Sequence, residues 1–312
     1  LLSRLTVCVP THTSLLSQTM STTSSTSSST SKHIMSSLRW YCLWATLLSP
    51  TALAQPEDSW SPGKLRSAAE EAFAQGETTT ALQYLSQAVA QEPENPINHY
   101  RRFKIRHRKR QYMEALGDIT QAVDLTNGAE KQNQKADYRT QKAKLLVQLG
   151  QCDRAVTEHE QIAATEYRDV SAYELAQQCQ DTIATAERAF FEGNFAVAAR
   201  AFGASLQFVE SGTYGSADLL WPKAQALFQG QDFYGVVSDT GKLLKLQPQH
   251  LDALHLRGKA FYRLGEHEQA ILHFREALKS DPEHKPNKEG HKLVKKLDKA
   301  QKKGDTAMES GD

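Results

Sequence analysis

The sequence predicts an all-α solenoid of helix–turn–helix repeats. Three observations carry that expectation. A glycine followed five positions later by alanine recurs as Gly76/Ala81, Gly150/Ala155, Gly193/Ala198 and Gly265/Ala270, with variants Arg110/Ala115 and Gly230/Gly235. The second members are spaced 34, 40, 43, 37 and 35 residues apart, and near-constant spacing on this scale marks a repeat array. Period-2 alternation of apolar and polar residues, the strand signal, is nowhere evident. The 312 residues are 39% hydrophobic and 23% charged, an ordinary globular composition that excludes wholesale disorder and a collagen-like repeat.

The N-terminal region reads differently. Residues 21–31 are all Ser or Thr and offer nothing to bury, so residues 1–34 form a disordered leader. They read as upstream sequence, with a genuine Ser/Thr-rich extension as the alternative. From Met35 the pattern changes. Arg39 is followed by an apolar run from Trp40 to Leu48, then Pro50, then Thr51-Ala52-Leu53-Ala54 with small residues at the −3 and −1 positions. That is the layout of a secretory signal peptide over residues 35–54, too short to span a bilayer. A buried N-terminal helix is the alternative. Cleavage after Ala54 would remove Arg4, Lys32 and Arg39, turning the +1 chain into one with 34 basic and 36 acidic residues.

Helix pairs are then expected near residues 63–91, 97–126, 137–164, 180–209, 217–246 and 251–280. The last is the clearest. Leu254, Gly258, Phe261, Gly265, Ala270, Phe274, Ala277 and Pro282 fall on the anchors of the tetratricopeptide repeat (TPR), and only Arg257 departs, standing where the pattern has Leu. Gly258 admits a close helix approach, and Gly265 ends the first helix in a left-handed conformation. Ala270 and Ala277 are small where helices cross, and Phe261 and Phe274 fill the space between. Gly76, Ala81, Ala115, Gly150, Ala155, Gly193, Ala198 and Gly230 are read as the same anchors elsewhere. The long step across residues 167–182 predicts a linking helix between repeats three and four. The repeats thus fall into two triplets, 63–164 and 180–280. A second linking helix is expected in 287–312, with Leu293, Val294, Leu297 and Ala300 on one face and Lys292, Lys295, Lys296 and Lys299 outside. Gly304, Ala307 and Gly311 would begin a seventh repeat that the sequence cuts short.

No catalytic motif is present: there is no HExxH, no phosphate-binding glycine loop and no paired CxxC. No enzyme activity, metal or cofactor is therefore expected. Cys152 and Cys179 are read as two buried thiols, with a disulfide as the alternative. The basic run of Arg101, Arg102, Lys104, Arg106, Arg108, Lys109 and Arg110 could touch RNA. The net charge of +1 and the signal-like segment favour a solvated helix instead, with no nucleic acid as partner. Arg106 and Arg110 stand where the repeat favours apolar or small residues, which makes repeat two the expected weak unit.

Taken together, these features resemble the ER-lumenal TPR co-chaperones of the DnaJ subfamily C type, vertebrate members of which inhibit stress kinases. The specific likenesses are Asn98-His99-Tyr100-Arg101-Arg102, the run from Tyr262 to Glu268, Asp281-Pro282-Glu283-His284-Lys285 and Leu293-Val294-Lys295-Lys296-Leu297. The resemblance implies that the repeats hold unfolded client proteins. It also implies a lumenal Hsp70 as partner through a J domain, whose His-Pro-Asp motif this sequence lacks, and a stress kinase as a further partner. The family's cysteine pair in the second triplet is missing from residues 207–228.

The client patch is expected on first helices of the first triplet, at Phe73, Ile97, Tyr100 and Val147, with inter-helix core as the competing role for each. A cytosolic TPR adaptor gripping an acidic chaperone C-terminus is the alternative. Its clamp needs converging cations and amides, whereas Arg66, Glu70, Arg101, Asp137 and Gln141 occupy those positions. RNA binding through the basic run is the remote alternative.

Overall fold

The computed structural model describes residues 60–162 and 169–310. The leader, the signal-like segment 35–54 and Gly311 lie outside the described residues. Helices α1 (Pro62–Ala74) and α2 (Thr78–Gln91), α3 (Pro96–Arg108) and α4 (Tyr112–Leu125), and α5 (Gln132–Gln148) and α6 (Cys152–Glu160) form three consecutive antiparallel pairs. A 3₁₀ turn, Ala129–Lys131, precedes α5. Then follow α7 (Val170–Phe191) with α8 (Phe195–Ser205), α9 (Tyr214–Gln229) with α10 (Phe233–Leu246), α11 (Leu251–Arg263) with α12 (His267–Ser280), and α13 (Lys285–Ser310). No strand occurs among the described residues.

Local chemistry sets the ends of these helices. Four of the first helices start on side-chain caps of this kind: Ser61, Asn95, Asp169 and Thr213 each accept from a backbone N–H of the first turn, and such a cap contributes about 1 kcal/mol. Within each pair the turn is the same. The residue after it donates its N–H back across the turn: Glu77 to Ala72, Gln111 to Arg106, Gln151 to Leu146, Asn194 to Ala189, Asp232 to Leu227 and Glu266 to Phe261, all at 2.8–2.9 Å. This closure requires a left-handed residue just before the donor. Gly76, Gly150, Gly193 and Gly265 supply it, and so do Arg110 (φ 59°) and Gln231 (φ 64°).

The fifth repeat therefore needs correction. Gly230 is not the left-handed anchor: its φ is −77°, and Gln231 takes that place. Five positions on, the crossing residue is Val236 rather than Gly235. Val236 is fully buried, as are Ala81, Ala115, Ala155, Ala198 and Ala270. Gly235 instead packs against the carboxylate of Asp232, which caps α10.

The two longest helices extend beyond a repeat. α7 runs unbroken for 22 residues and α13 for 26. Gly304 lies inside α13. Cys152, in the first turn of α6, is disulfide-bonded to Cys179 of α7, with Cα atoms 5.8 Å apart. The expectation of two free thiols is corrected: α6 packs antiparallel to α7, which brings the two together. Repeat three also meets the segment before α9. Glu210 N–H donates to Gln148 at 2.9 Å, and a Cβ on Gly215 would stand 1.9 Å from the Leu149 carbonyl oxygen, an approach only glycine permits.

In the last pair, Phe274 of α12 is 1% exposed. A Cβ on Gly258 would lie 2.8 Å from its ring, and so would one on Gly290 of α13. The ring is clamped between α11 and α13 by two glycines, of which only Gly258 falls on a repeat anchor.

Candidate client-binding surface

First helices α1 and α3 flank a cleft of about 70 Å³. Its apolar wall is Ala69 and Phe73 from α1, Leu85 from α2 and Ile105 from α3, and its polar rim is Glu70, Arg101 and Lys104. Leu85 and Ile105 are buried, while Phe73 is half-buried. Arg101 reaches from α3 to Glu70 of α1 at 2.7 Å. The Arg108 guanidinium lies 5.3 Å from the centre of the Phe73 ring, and Lys104 Nζ 5.8 Å from that of Tyr100. The result is a small apolar slot whose rim carries the Arg101–Glu70 pair and Lys104.

Asn98 fixes the angle between the two repeats. It is fully buried, donates to the Ala88 and Glu92 carbonyls, and accepts from Arg66 at 2.9 Å. Arg66 also pairs with Glu92 at 2.9 Å. Hydrogen bonds from Asn95 and Arg66 hold the Glu92 carboxyl below its usual pKa.

The four expected patch residues separate. Phe73 lines the cleft. Ile97 is 39% exposed, in the first turn of α3, and is not part of the slot's wall. Tyr100 is half-buried and stacks on Tyr138 of α5, ring centres 4.4 Å apart. Burial, reinforced for Tyr100 by the nearby Asp137 carboxylate, raises the phenol pKa of both. Val147 is 4% exposed and belongs to the core shared by repeats two and three. It is not a groove residue, because α5 turns that side against α4 and α6 rather than outward.

The basic run is not a row of free cations. Arg102 and Arg106 fold inward onto Asp118 of α4, itself 2% exposed, each with a contact of 2.7 Å. Arg110, in the turn, pairs with Glu210 at 3.0 Å. Arg106 thus has a buried counter-charge where an apolar contact was expected. Asp118 was missed from the sequence, although an acid among the apolar positions of α4 was its signal. No group of three His, Cys, Asp or Glu that could hold a metal occurs among the described residues, and no described helix is long and apolar enough to cross a membrane.

The tetratricopeptide repeat family model matches residues 251–284. The crystal structure of the P58(IPK) TPR domain superposes with a TM-score of 0.63 at 24% identity, over 80% of this chain and 68% of that one. The fold is a TPR solenoid. The human DnaJ homolog subfamily C member 3 is 27% identical over 236 residues, covering 73% of this chain and 44% of that protein. The DnaJ homolog subfamily C member 7 homolog of Schizosaccharomyces pombe is 27% identical over 212 residues, 66% of this chain and 43% of that protein. The DnaJ protein P58IPK homolog B of Oryza sativa is 39% identical over 89 residues, 28% of this chain and 19% of that protein. These relatives are DnaJ subfamily C proteins. The chain spans less than half the length of each of the three.

Proposed function

We propose that this chain is the client-binding TPR part of a DnaJ-type co-chaperone of the ER lumen, acting by binding rather than catalysis. The observation that carries the reading is the apolar slot between α1 and α3, left open beside the exposed Ile97. Unfolded chains offer isolated apolar side chains, and open apolar surface of this kind captures them. Lys104 on the rim adds attraction for acidic flanks without dictating sequence. Two features support the lumen. The Cys152–Cys179 disulfide belongs in an oxidising compartment, and residues 35–54 have the layout of a cleavable signal. Stimulation of a lumenal Hsp70 would depend on a J domain, and a stress kinase remains a partner by resemblance.

The test is suppression of aggregation of a chemically denatured client. Ile97→Ser combined with Phe73→Ala should weaken suppression at least several-fold while circular dichroism stays unchanged. Undiminished suppression by the folded variant rejects the slot. Expression in a eukaryotic cell followed by N-terminal sequencing tests the compartment: a chain starting at Gln55 supports it, and an uncleaved cytosolic chain rejects it.

A further inference from the structure

A second groove lies in the other triplet, and its chemistry is opposite. It measures about 730 Å³ and runs between α7, α8 and α9. Phe190, Phe191, Phe195 and Phe202 form its apolar side, and Glu187 and Asp218 are its charged groups. No lysine or arginine lines it. Phe191 is 92% exposed, the most exposed large apolar side chain among the described residues. Neither Glu187 nor Asp218 makes an ion pair among the described residues. Pro222 lies inside α9 and has no N–H to give the Asp218 carbonyl, its normal helical partner four residues back. Partial burial raises the Asp218 pKa.

From this juxtaposition we infer that the α7–α9 groove binds a protein segment in which an aromatic or aliphatic side chain is flanked by lysine or arginine. The apolar side chain lies against the phenylalanines. The cation reaches Asp218 and Glu187, where a charge-assisted contact replaces water at a site with no competing cation. An acidic segment meets two unpaired carboxylates and is repelled, so the groove selects by charge as well as by apolar contact. The site is separate from the α1–α3 slot, and the two have opposite charge preferences.

The experiment uses the full chain and two fluorescein-labelled decapeptides, one alternating Phe and Leu with Lys, the other with every Lys replaced by Glu. Fluorescence anisotropy at low salt should show the lysine peptide binding at least tenfold more tightly. Glu187→Gln with Asp218→Asn should remove that preference, and Phe191→Ser should weaken the lysine peptide at least fivefold. Phe191 is exposed, so its replacement leaves the core intact. Ile97→Ser with Phe73→Ala should leave this binding unchanged, which separates failure of this site from failure of the slot. Equal binding of both peptides, or no response to either groove variant, overturns the inference. So does a concentration-dependent dimer in sedimentation that Phe191→Ser dissolves, since a second copy would then be the occupant.

Discussion

Replacing Gly258 by alanine puts two effects of known size in opposition. Alanine in a helix interior is favoured over glycine by about 1 kcal/mol, because glycine loses more backbone freedom on folding. At Gly258, however, the new Cβ would sit 2.8 and 2.9 Å from two ring carbons of Phe274. The ring has little room to retreat, since a Cβ added at Gly290 on α13 would also stand 2.8 Å from it. Overpacking a closed site costs roughly 1–3 kcal/mol, so Gly258→Ala should be destabilising by about 0–2 kcal/mol net. Gly304 is the control. It lies in α13, and a Cβ added there would meet nothing within 4 Å, so Gly304→Ala should stabilise by up to about 1 kcal/mol. Urea unfolding gives both, and hydrogen exchange across α11–α13 localises the loss. Adding Phe274→Leu to Gly258→Ala should cost less than the sum of the two single changes, because the smaller side chain vacates the contact. A Gly258→Ala protein as stable as the Gly304→Ala protein would refute the clamp.

Three further outcomes follow from particular contacts. Asp118→Ala leaves two arginines, 16% and 24% exposed, facing each other without their anion. It should cost about 3 kcal/mol, the lower end for breaking a buried pair, and a loss below about 1 kcal/mol by chemical denaturation would contradict the pairing. His273 accepts from Arg257 Nε at 3.1 Å, and burial, with that cation beside it, holds its pKa down at about 4. The folded state therefore binds fewer protons than the unfolded one below the ordinary pKa near 6.5, so the contribution is complete above that pH and declines as pH falls toward 4. His273→Gln, which keeps an acceptor for Arg257, should flatten the fall of the urea midpoint between pH 7 and 5, and an unchanged slope would contradict this. Gln231→Gly should stabilise by up to about 1 kcal/mol, since only glycine adopts the left-handed turn without a Cβ penalty. No gain in the urea midpoint would argue against the corrected phase of repeat five.

Turns and crossings were legible in the sequence because each leaves a letter: glycine at a left-handed turn, alanine where backbones approach. Repeat five misled for the same reason. Gln231 takes the left-handed conformation beside a glycine that does not, so the pattern settled on Gly230 and on Gly235 instead of Val236. The disulfide depends on how α6 crosses α7, and a separation of 27 residues does not encode a crossing angle. Val147 shows the limit for the binding surface. A first helix packed against neighbours on more than one side has apolar residues toward both the groove and those neighbours, and only its rotation decides which face is covered. Asp118 was visible as a misplaced acid, but its partners sit one helix earlier, on a stretch that reads as a solvent-facing basic run.

On the proposed function, clients bind in the first triplet at the slot between α1 and α3. Hydrogen exchange of the full chain, with and without saturating reduced and carboxymethylated client protein, tests it most directly. Client binding at the slot should slow exchange in α1 and α3, an effect lost with Ile97→Ser and Phe73→Ala, and should change α11 and α12 little. Unaltered exchange in α1 and α3 while the client is bound would contradict it.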